Sequence, residues 1–126
     1  MRDLKSNIDV AITVAPQAMA ASKTGAAVDL QGYDAAFGEF SPGAWTDGTH
    51  TPKLQESADG TTFTDVGTGD LQGSFSAVTT TGGAHQRVGY IGAKRYVRGF
   101  VTVAGATTGM LGSVNIVRGR SSRKPL

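Results

Sequence analysis

The sequence contains no cysteine among its 126 residues. This absence excludes a disulfide framework, a metal site built from thiolates and a cysteine nucleophile. The sequence also has no run of about 18 apolar residues, the length that a membrane-spanning helix needs, and it shows no secretory hydrophobic region. We therefore expect a protein without a membrane span that is made and used without export through a signal peptide.

Aromatic and charged residues are scarce, at 7% and 17% of the chain, whereas glycine occurs 18 times. Threonine and valine are abundant, and the apolar residues come in runs of strand length. This composition is typical of a turn-rich β protein and not of a disordered chain. The length suits one domain, which at this size buries roughly two-thirds of the surface of its unfolded chain.

Acidic residues are absent after Asp70. Residues 1–70 hold ten acidic and four basic residues, a balance of −6, whereas residues 71–126 hold eight basic residues and no acid, a balance of +8. Two interpretations remain open. The halves can interleave in one sandwich so that their charges mix on its surface, or the surface can be polarised and dock head-to-tail on copies of itself or on another charged shell.

Two Asp-Gly-Thr triplets organise the middle of the chain, at residues 47–49 and 59–61. Asp-Gly is a strong hairpin signal because the central positions of a type I′ turn need a positive φ angle, which glycine adopts without steric cost. The stretch between the triplets has the length of a strand, and residues 61–66 are rich in β-forming side chains. The pattern predicts a β-meander of three strands joined by two tight turns.

Alternation of apolar residues predicts further strands. One face of the first strand carries Ile8, Val10, Ile12 and Val14. Pro16 is expected to end this strand, residues 17–22 to form one helical turn at most, and residues 41–43 to form a turn. The clearest strand spans residues 93–103, and the total of eight to ten short strands predicts an all-β, antiparallel sandwich or barrel, of which we favour the sandwich.

The strand predictions indicate the domain organisation. Residues 1–7 are predicted to form an N-terminal arm, residues 8–117 the β-sandwich domain, and residues 118–126 a basic C-terminal tail. Large aromatic side chains bury much apolar area, so the expected core anchors are Trp45, Phe63 and Phe100. Pro52 lacks a backbone N–H, which predicts that its strand lies at the edge of a sheet.

One stretch resembles a known hairpin. Residues 54–66 are similar to the "Ser-x-Asp-Gly, x-x-aromatic-x-Asp-Val" hairpin of jelly-roll domains of the discoidin and carbohydrate-binding type. A later strand of that family often reads Arg-Tyr-(Ile/Val)-Arg, and residues 94–98 fit this pattern. The resemblance implies a jelly roll in which Phe63 packs onto the sheet and Tyr96 and Val97 lie on opposite faces of a central strand. It implies no sugar binding, because fold does not determine function.

A second resemblance covers nearly the whole chain. Residues 25–33, 46–57, 86–98 and 101–109 look like small proteins encoded among the head genes of tailed bacteriophages and prophages. This likeness implies a structural protein of the virion, a capsid cement or decoration protein that is made in the host cytoplasm and binds the outer surface of the shell. Its expected partners are the major capsid protein and further copies of itself, with a trimer favoured by cyclic symmetry.

The two chain ends are the expected contact segments, because arms that become ordered on binding cover much surface with few residues. The candidate interface residues are Met1, Arg2, Asp3, Leu4, Lys5, Arg118, Arg120, Arg123 and Lys124. The basic tail could also neutralise nucleic-acid phosphates, but it has no aromatic residue for stacking on bases. A protein surface is therefore the favoured partner of the tail.

Other chemistry has weaker signals. A triad could be drawn from His50, Ser57 and Asp59, but no oxyanion hole or activated nucleophile accompanies it, so we expect no enzyme. The aspartates on loops match no EF-hand spacing, and we expect no metal and no cofactor. The alternative functions are a head–tail connector, a tail or fibre-associated virion protein, and a virion carbohydrate-binding module. The aromatic candidates for sugar binding are Tyr33, Trp45, Tyr90 and Tyr96.

Overall fold

The computed structural model describes residues 4–81 and 83–119. These residues form one 3-10 helical turn, Thr68–Asp70, and ten β-strands. In chain order the strands are β1 (Ile8–Met19), β2 (Lys23–Thr24), β3 (Val28–Asp29), β4 (Ala35–Trp45), β5 (Thr49–Ser57), β6 (Thr64–Asp65), β7 (Leu71–Gln72), β8 (Gln86–Tyr90), β9 (Tyr96–Ala104) and β10 (Met110–Gly119).

The strands form two antiparallel sheets of five strands that pack face to face, as the sequence predicts. The first sheet has the order β1-β10-β4-β8-β7, and the second has the order β2-β9-β5-β6 with β3 also paired to β9. The chain crosses repeatedly between the sheets, and its first and last long strands are neighbours. This double Greek-key arrangement is a jelly roll.

The two Asp-Gly turns differ in what they connect. Gly48 and Gly60 both adopt a positive φ angle, of 88° and 79°. The second turn lies within a hairpin in which β6 pairs with the end of β5. The first turn, however, carries the chain from β4 in the first sheet to β5 in the second. The predicted meander is therefore wrong at its first turn and correct at its second.

Three local predictions around proline are wrong because the strands are longer than expected. β1 continues past Pro16 to Met19, and an irregularity in its register between Val14 and Gln17 accommodates the proline. The expected helical turn at residues 17–22 is consequently strand for its first half. Pro42 lies inside β4 and not in a turn, at a position where β4 pairs with β10 while its pairing with β8 ends at Phe40.

β5 is not the edge strand that Pro52 predicts, because it lies between β9 and β6, but Pro52 itself falls between the paired segments on the side of β5 away from β9. The backbone groups of His50 bond to Val78, and the Leu54 carbonyl accepts from Val66, both on the side of β5 away from β9. Alternate residues of a strand direct their backbone groups to the same side. The nitrogen of Pro52 therefore points where no ladder hydrogen bond is lost.

The core lies between the sheets in two adjoining clusters. Its largest fully buried side chains include Phe40, Met19 and Met110, with Trp45 packed against them as a partly buried neighbour. Phe63 and Phe100 are not in the core, contrary to expectation. Both are half-buried on the outer face of the second sheet, on the same side of β9 as Tyr96, while Val97 on the opposite side is fully buried.

The basic half and the acidic half of the sequence interleave. β4 lies between β10 and β8 in the first sheet, and β5 pairs with β9 in the second. Ion pairs join the halves: Arg95 to Asp29 at 2.8 Å, and Arg118 to Asp9. Among the described residues, the charges of the two halves therefore mix on one sandwich, which is the first of the two interpretations given above.

Candidate functional site

The outer surface of the first sheet carries several large exposed apolar side chains, and we call it the apolar face. It is defined by four large side chains with their exposed fractions: Leu4 65%, Val10 54%, Ile12 59% and Leu111 50%. Single exposed apolar residues are ordinary on protein surfaces, but residues gathered on one face mark an interaction site.

The register of the strands explains why these side chains point outward. Ala11 and Ile116 are paired and pack into the core. Their neighbours Val10 and Val117, which also pair with each other, therefore face away from it. Val117 pairs on its other side with Phe37, so an apolar row crosses three strands.

A groove of about 370 Å³ opens on the apolar face. Its lining includes Leu4, Ile8, Phe37, Val117 and Gly119. Leu4 comes just before β1, and Gly119 is the last residue of β10. Both ends of the described chain therefore meet at this groove.

A polar strip next to the apolar row is paired within the chain. Glu39 accepts a hydrogen bond from the Asn115 amide at 3.1 Å and contacts the His85 ring nitrogen at 3.0 Å. The bond from Asn115 lowers the pKa of Glu39 from its ordinary value, and His85 adds to this effect. These partners keep Glu39 charged and occupied at the border of the apolar face.

The outer face of the second sheet is built differently, and we call it the polar face. The guanidinium of Arg98 lies 4.1 Å from the centre of the Phe63 ring, and the Lys53 ammonium lies 4.9 Å from that of Phe100. Arg98 also donates to Gln55 at 2.8 Å, and Lys53 forms an ion pair with Asp65 at 3.0 Å. These side chains contact one another, so these groups of the polar face already have partners within the chain.

The predicted interface residues divide into three groups. Leu4 and Lys5 are exposed and precede β1, and Leu4 lines the groove. Arg118 belongs to the sandwich and not to a tail, because β10 extends through Gly119 and not only to residue 117. The remaining candidates lie outside the described residues, and they are Met1, Arg2, Asp3, Arg120, Arg123 and Lys124.

Arg118 has a structural position at one end of the sandwich. Its guanidinium pairs with Asp9, donates to the Asp29 carbonyl at 2.8 Å and lies 4.6 Å from the centre of the Tyr33 ring. Burial lowers its pKa from the ordinary value. These contacts hold β1, β3 and the loop before β4 together, so Arg118 packs within the sandwich.

The aspartates of the two turns serve the fold. The Asp47 carboxylate accepts backbone hydrogen bonds from residues 107–109, the shortest from Gly109 at 2.6 Å. Asp59 accepts from the backbone of Thr61 and Thr62 and from the Ser57 hydroxyl at 2.8–3.0 Å. The bond from Thr62, followed by those from Thr61 and Ser57, lowers the pKa of Asp59 to about 2.

His50, Ser57 and Asp59 do not form a catalytic triad in the structure. His50 is fully buried and its Nε2 contacts the Asp47 carbonyl at 2.9 Å, while the Ser57 hydroxyl donates to Asp59. Within residues 4–81 and 83–119, the structure brings no three His, Asp or Glu side chains together as metal ligands. None of the helical structure described there is long and apolar enough to cross a membrane.

The aromatic candidates for sugar binding are engaged within the chain. Tyr33 is covered by Arg118 and Tyr96 by Arg95, and the Trp45 indole donates to the Gly48 carbonyl at 2.9 Å. The Tyr90 hydroxyl donates to Glu56 at 2.8 Å, and burial, with this bond, raises the pKa of Tyr90 to about 12. These four rings therefore contribute to packing within the chain.

Sequence reasoning missed Val10, Ile12 and Leu111 as surface residues. The alternation from Ile8 to Val14 predicts a strand correctly, but an irregularity between Ile12 and Val14 turns Val14 into the core while Val10 and Ile12 face outward. The sequence does not reveal this orientation, because Asp9 looks like a surface residue. In the structure Asp9 lies on the inward side and pairs with Arg118.

Comparison of the chain with protein-family models, with curated protein sequences and with solved structures finds no match.

Proposed function

We propose that this chain is a structural protein of a bacteriophage virion, a cement or decoration protein that binds the assembled capsid lattice and stabilises it. The observation that carries the proposal is the apolar face, with Leu4, Val10, Ile12 and Leu111 exposed on one side of a jelly roll. The resemblance of the sequence to small proteins of phage head-gene clusters supports the choice of partner, the major capsid protein.

The apolar face suits a protein partner. Burial of apolar side chains supplies most of the driving force for association, and the fully buried centre of an interface is depleted of charge. Around the groove the polar side chains of Glu39 and Asn115 already bond each other at 3.1 Å. Docking there removes apolar surface from water without leaving a buried charge unpaired.

The chain ends extend the same surface. Residues 1–3 and 120–126 continue from the two chain positions, Leu4 and Gly119, that line the groove. Residues 120–126 contain three basic residues and no acidic residue. On a capsid these segments would contact neighbouring subunits and add electrostatic attraction to an acidic shell. Many weak, repeated contacts of this kind would strengthen the lattice.

Cosedimentation tests the proposal. Purified protein is mixed with capsid shells assembled from the major capsid protein of the same genome, and the bound copies per shell are counted. We expect hundreds of copies per shell, and we expect deletion of residues 120–126 to lower occupancy more than it lowers the melting temperature. Protein that stays in the supernatant contradicts the proposal, and about a dozen copies or fewer would indicate a connector.

A further inference from the structure

β1 is an open edge of the first sheet. It pairs with β10 on one side, and in the part of the chain that the structure describes no strand pairs with its other side. Ala26 bonds the backbone of Thr13, with its N–H 2.7 Å from the Thr13 carbonyl oxygen. The open stretch is therefore residues 8–12, which is close to the usual length of a strand.

This stretch has only one of the features that protect strand edges, the inward-pointing charge of Asp9, and Arg118 pairs with that charge. Proteins block exposed edges with proline, outward charges, bulges or very short strands. The strands β2, β6 and β7 at the other sheet edges have two residues each, and the open part of β5 contains Pro52. Residues 8–12 instead keep an uninterrupted register with β10 and present Val10 and Ile12, at 54% and 59% exposure.

We propose that residues 8–12 pair in antiparallel fashion with the same residues of a second copy, across a twofold axis at Val10. The outward sequence Ile8, Val10, Ile12 is symmetric about its centre. Val10 faces Val10 of the second copy, and Ile8 faces Ile12 of the second copy. The pairing joins two five-stranded sheets into one continuous sheet.

Charge and symmetry favour a second copy over another chain as the occupant. In this register Asp9 faces Ala11 of the second copy, so the two aspartates are not opposite each other, and each stays bound to its own Arg118. A twofold interface requires that one surface complement itself. β-branched residues facing each other across strands are also a favourable pairing.

The consequence is a dimer whose apolar face is twice as wide. The face that we propose for docking on the capsid continues across the new strand pair without a break, so a dimer would bind two lattice positions and gain by avidity. The pairing itself needs no capsid. Its failure would leave the proposed function standing, and failure to bind capsids would leave the pairing standing.

Sedimentation equilibrium of the purified full chain tests the pairing from about 1 µM to about 1 mM, the range in which a small interface dissociates. We expect the mass to rise from the 13.0 kDa of one chain toward twice that value. Val10→Lys and Val10→Glu should each abolish the rise, because like charges would meet at the axis. Ile91→Lys, at a residue that is 55% exposed away from β1, should not change the rise.

An equimolar mixture of the two Val10 variants gives the sharpest result. Lysine then faces glutamate across the axis, so we expect the mixture to regain the dimer that each variant alone has lost. A wild-type mass that stays at 13.0 kDa, a trimer mass, or a mixture that remains monomeric overturns the proposal. Circular dichroism melting of each variant checks that the fold is retained.

Discussion

The two outer faces of this jelly roll are built from strands of the same alternating kind, yet they differ in what their side chains contact. On the polar face, Arg98 covers Phe63 and Lys53 covers Phe100, with distances to the ring centres of 4.1 Å and 4.9 Å. On the apolar face, Leu4 and Leu111 remain at least half exposed. The side chains of the polar face contact one another, whereas those of the apolar face stay exposed, which is the difference on which our proposal of a partner rests.

The edges of the two sheets differ in the same way. The second sheet ends in strands of two residues and places Pro52 in the open part of β5. The first sheet ends in β1, which has 12 residues. The long open edge at β1 is the feature on which we base the proposed pairing of the first sheet with a second copy.

The largest expected difference between the faces is in capsid binding. Leu111→Lys places a charge at the apolar face, and we expect at least about a fivefold loss of affinity for capsid shells, since interface residues that matter cost more than about 1 kcal/mol. The free energy of unfolding should change by no more than about 0.5 kcal/mol, because the side chain is already half exposed. Cosedimentation and chemical denaturation measure the two effects.

Thr102→Lys is the control for this change, because Thr102 is exposed and lies on the polar face, on the same side of β9 as Arg98 and Phe100. Equal loss of binding in both variants would show that charge on any surface weakens binding, and the distinction between the faces would be lost.

The polar face should show the opposite pattern. Arg98→Ala removes the contact with Phe63 and the hydrogen bond to Gln55, which is 2.8 Å long. We expect a loss of about 1–2 kcal/mol in the free energy of unfolding and unchanged binding to capsid shells. Arg98→Lys should recover part of the stability. An Arg98→Ala variant that unfolds like wild type but binds capsid shells poorly would place the partner on the polar face and contradict this account.

Acid should destabilise the hairpin of β5 and β6, whose turn contains Asp59. The pKa of Asp59 is lowered from 3.8 to about 2 by its bonds to Thr62, Thr61 and Ser57, so those bonds stabilise the fold fully above about pH 4 and are lost as pH falls toward 2. Asp59→Asn should lower the melting temperature at neutral pH and weaken its dependence on pH in this window. Thr62→Ala, which keeps the backbone N–H, should retain the dependence of wild type.

The fold could be predicted from the sequence to the level of a jelly roll, because alternation and turn chemistry are local signals. The second Asp-Gly turn formed the expected hairpin, and β9 has the predicted alternation, with Val97 buried and Tyr96 outward. The first Asp-Gly turn crosses between sheets because Asp47 bonds to residues 107–109, which are 60 to 62 positions away. No local signal reveals such a partner.

The site was harder to predict than the fold. The sequence predicts contacts at the chain ends, and of those residues Leu4 lines the groove. Arg118 was assigned to a tail because its neighbours in sequence are basic, whereas its position depends on Asp9 and Tyr33. The exposure of Val10 depends on a register irregularity and on which face of β1 meets the second sheet, and both are properties of tertiary packing.

Cryo-electron microscopy of capsid shells decorated with the purified protein tests the central claim, that the apolar face is the binding surface. The account predicts density for the jelly roll on the shell, with Leu4, Val10 and Leu111 turned toward a protein surface and Arg98 turned toward solvent. A shell without this density, or a jelly roll that contacts the shell through Arg98 and Lys53, would contradict it.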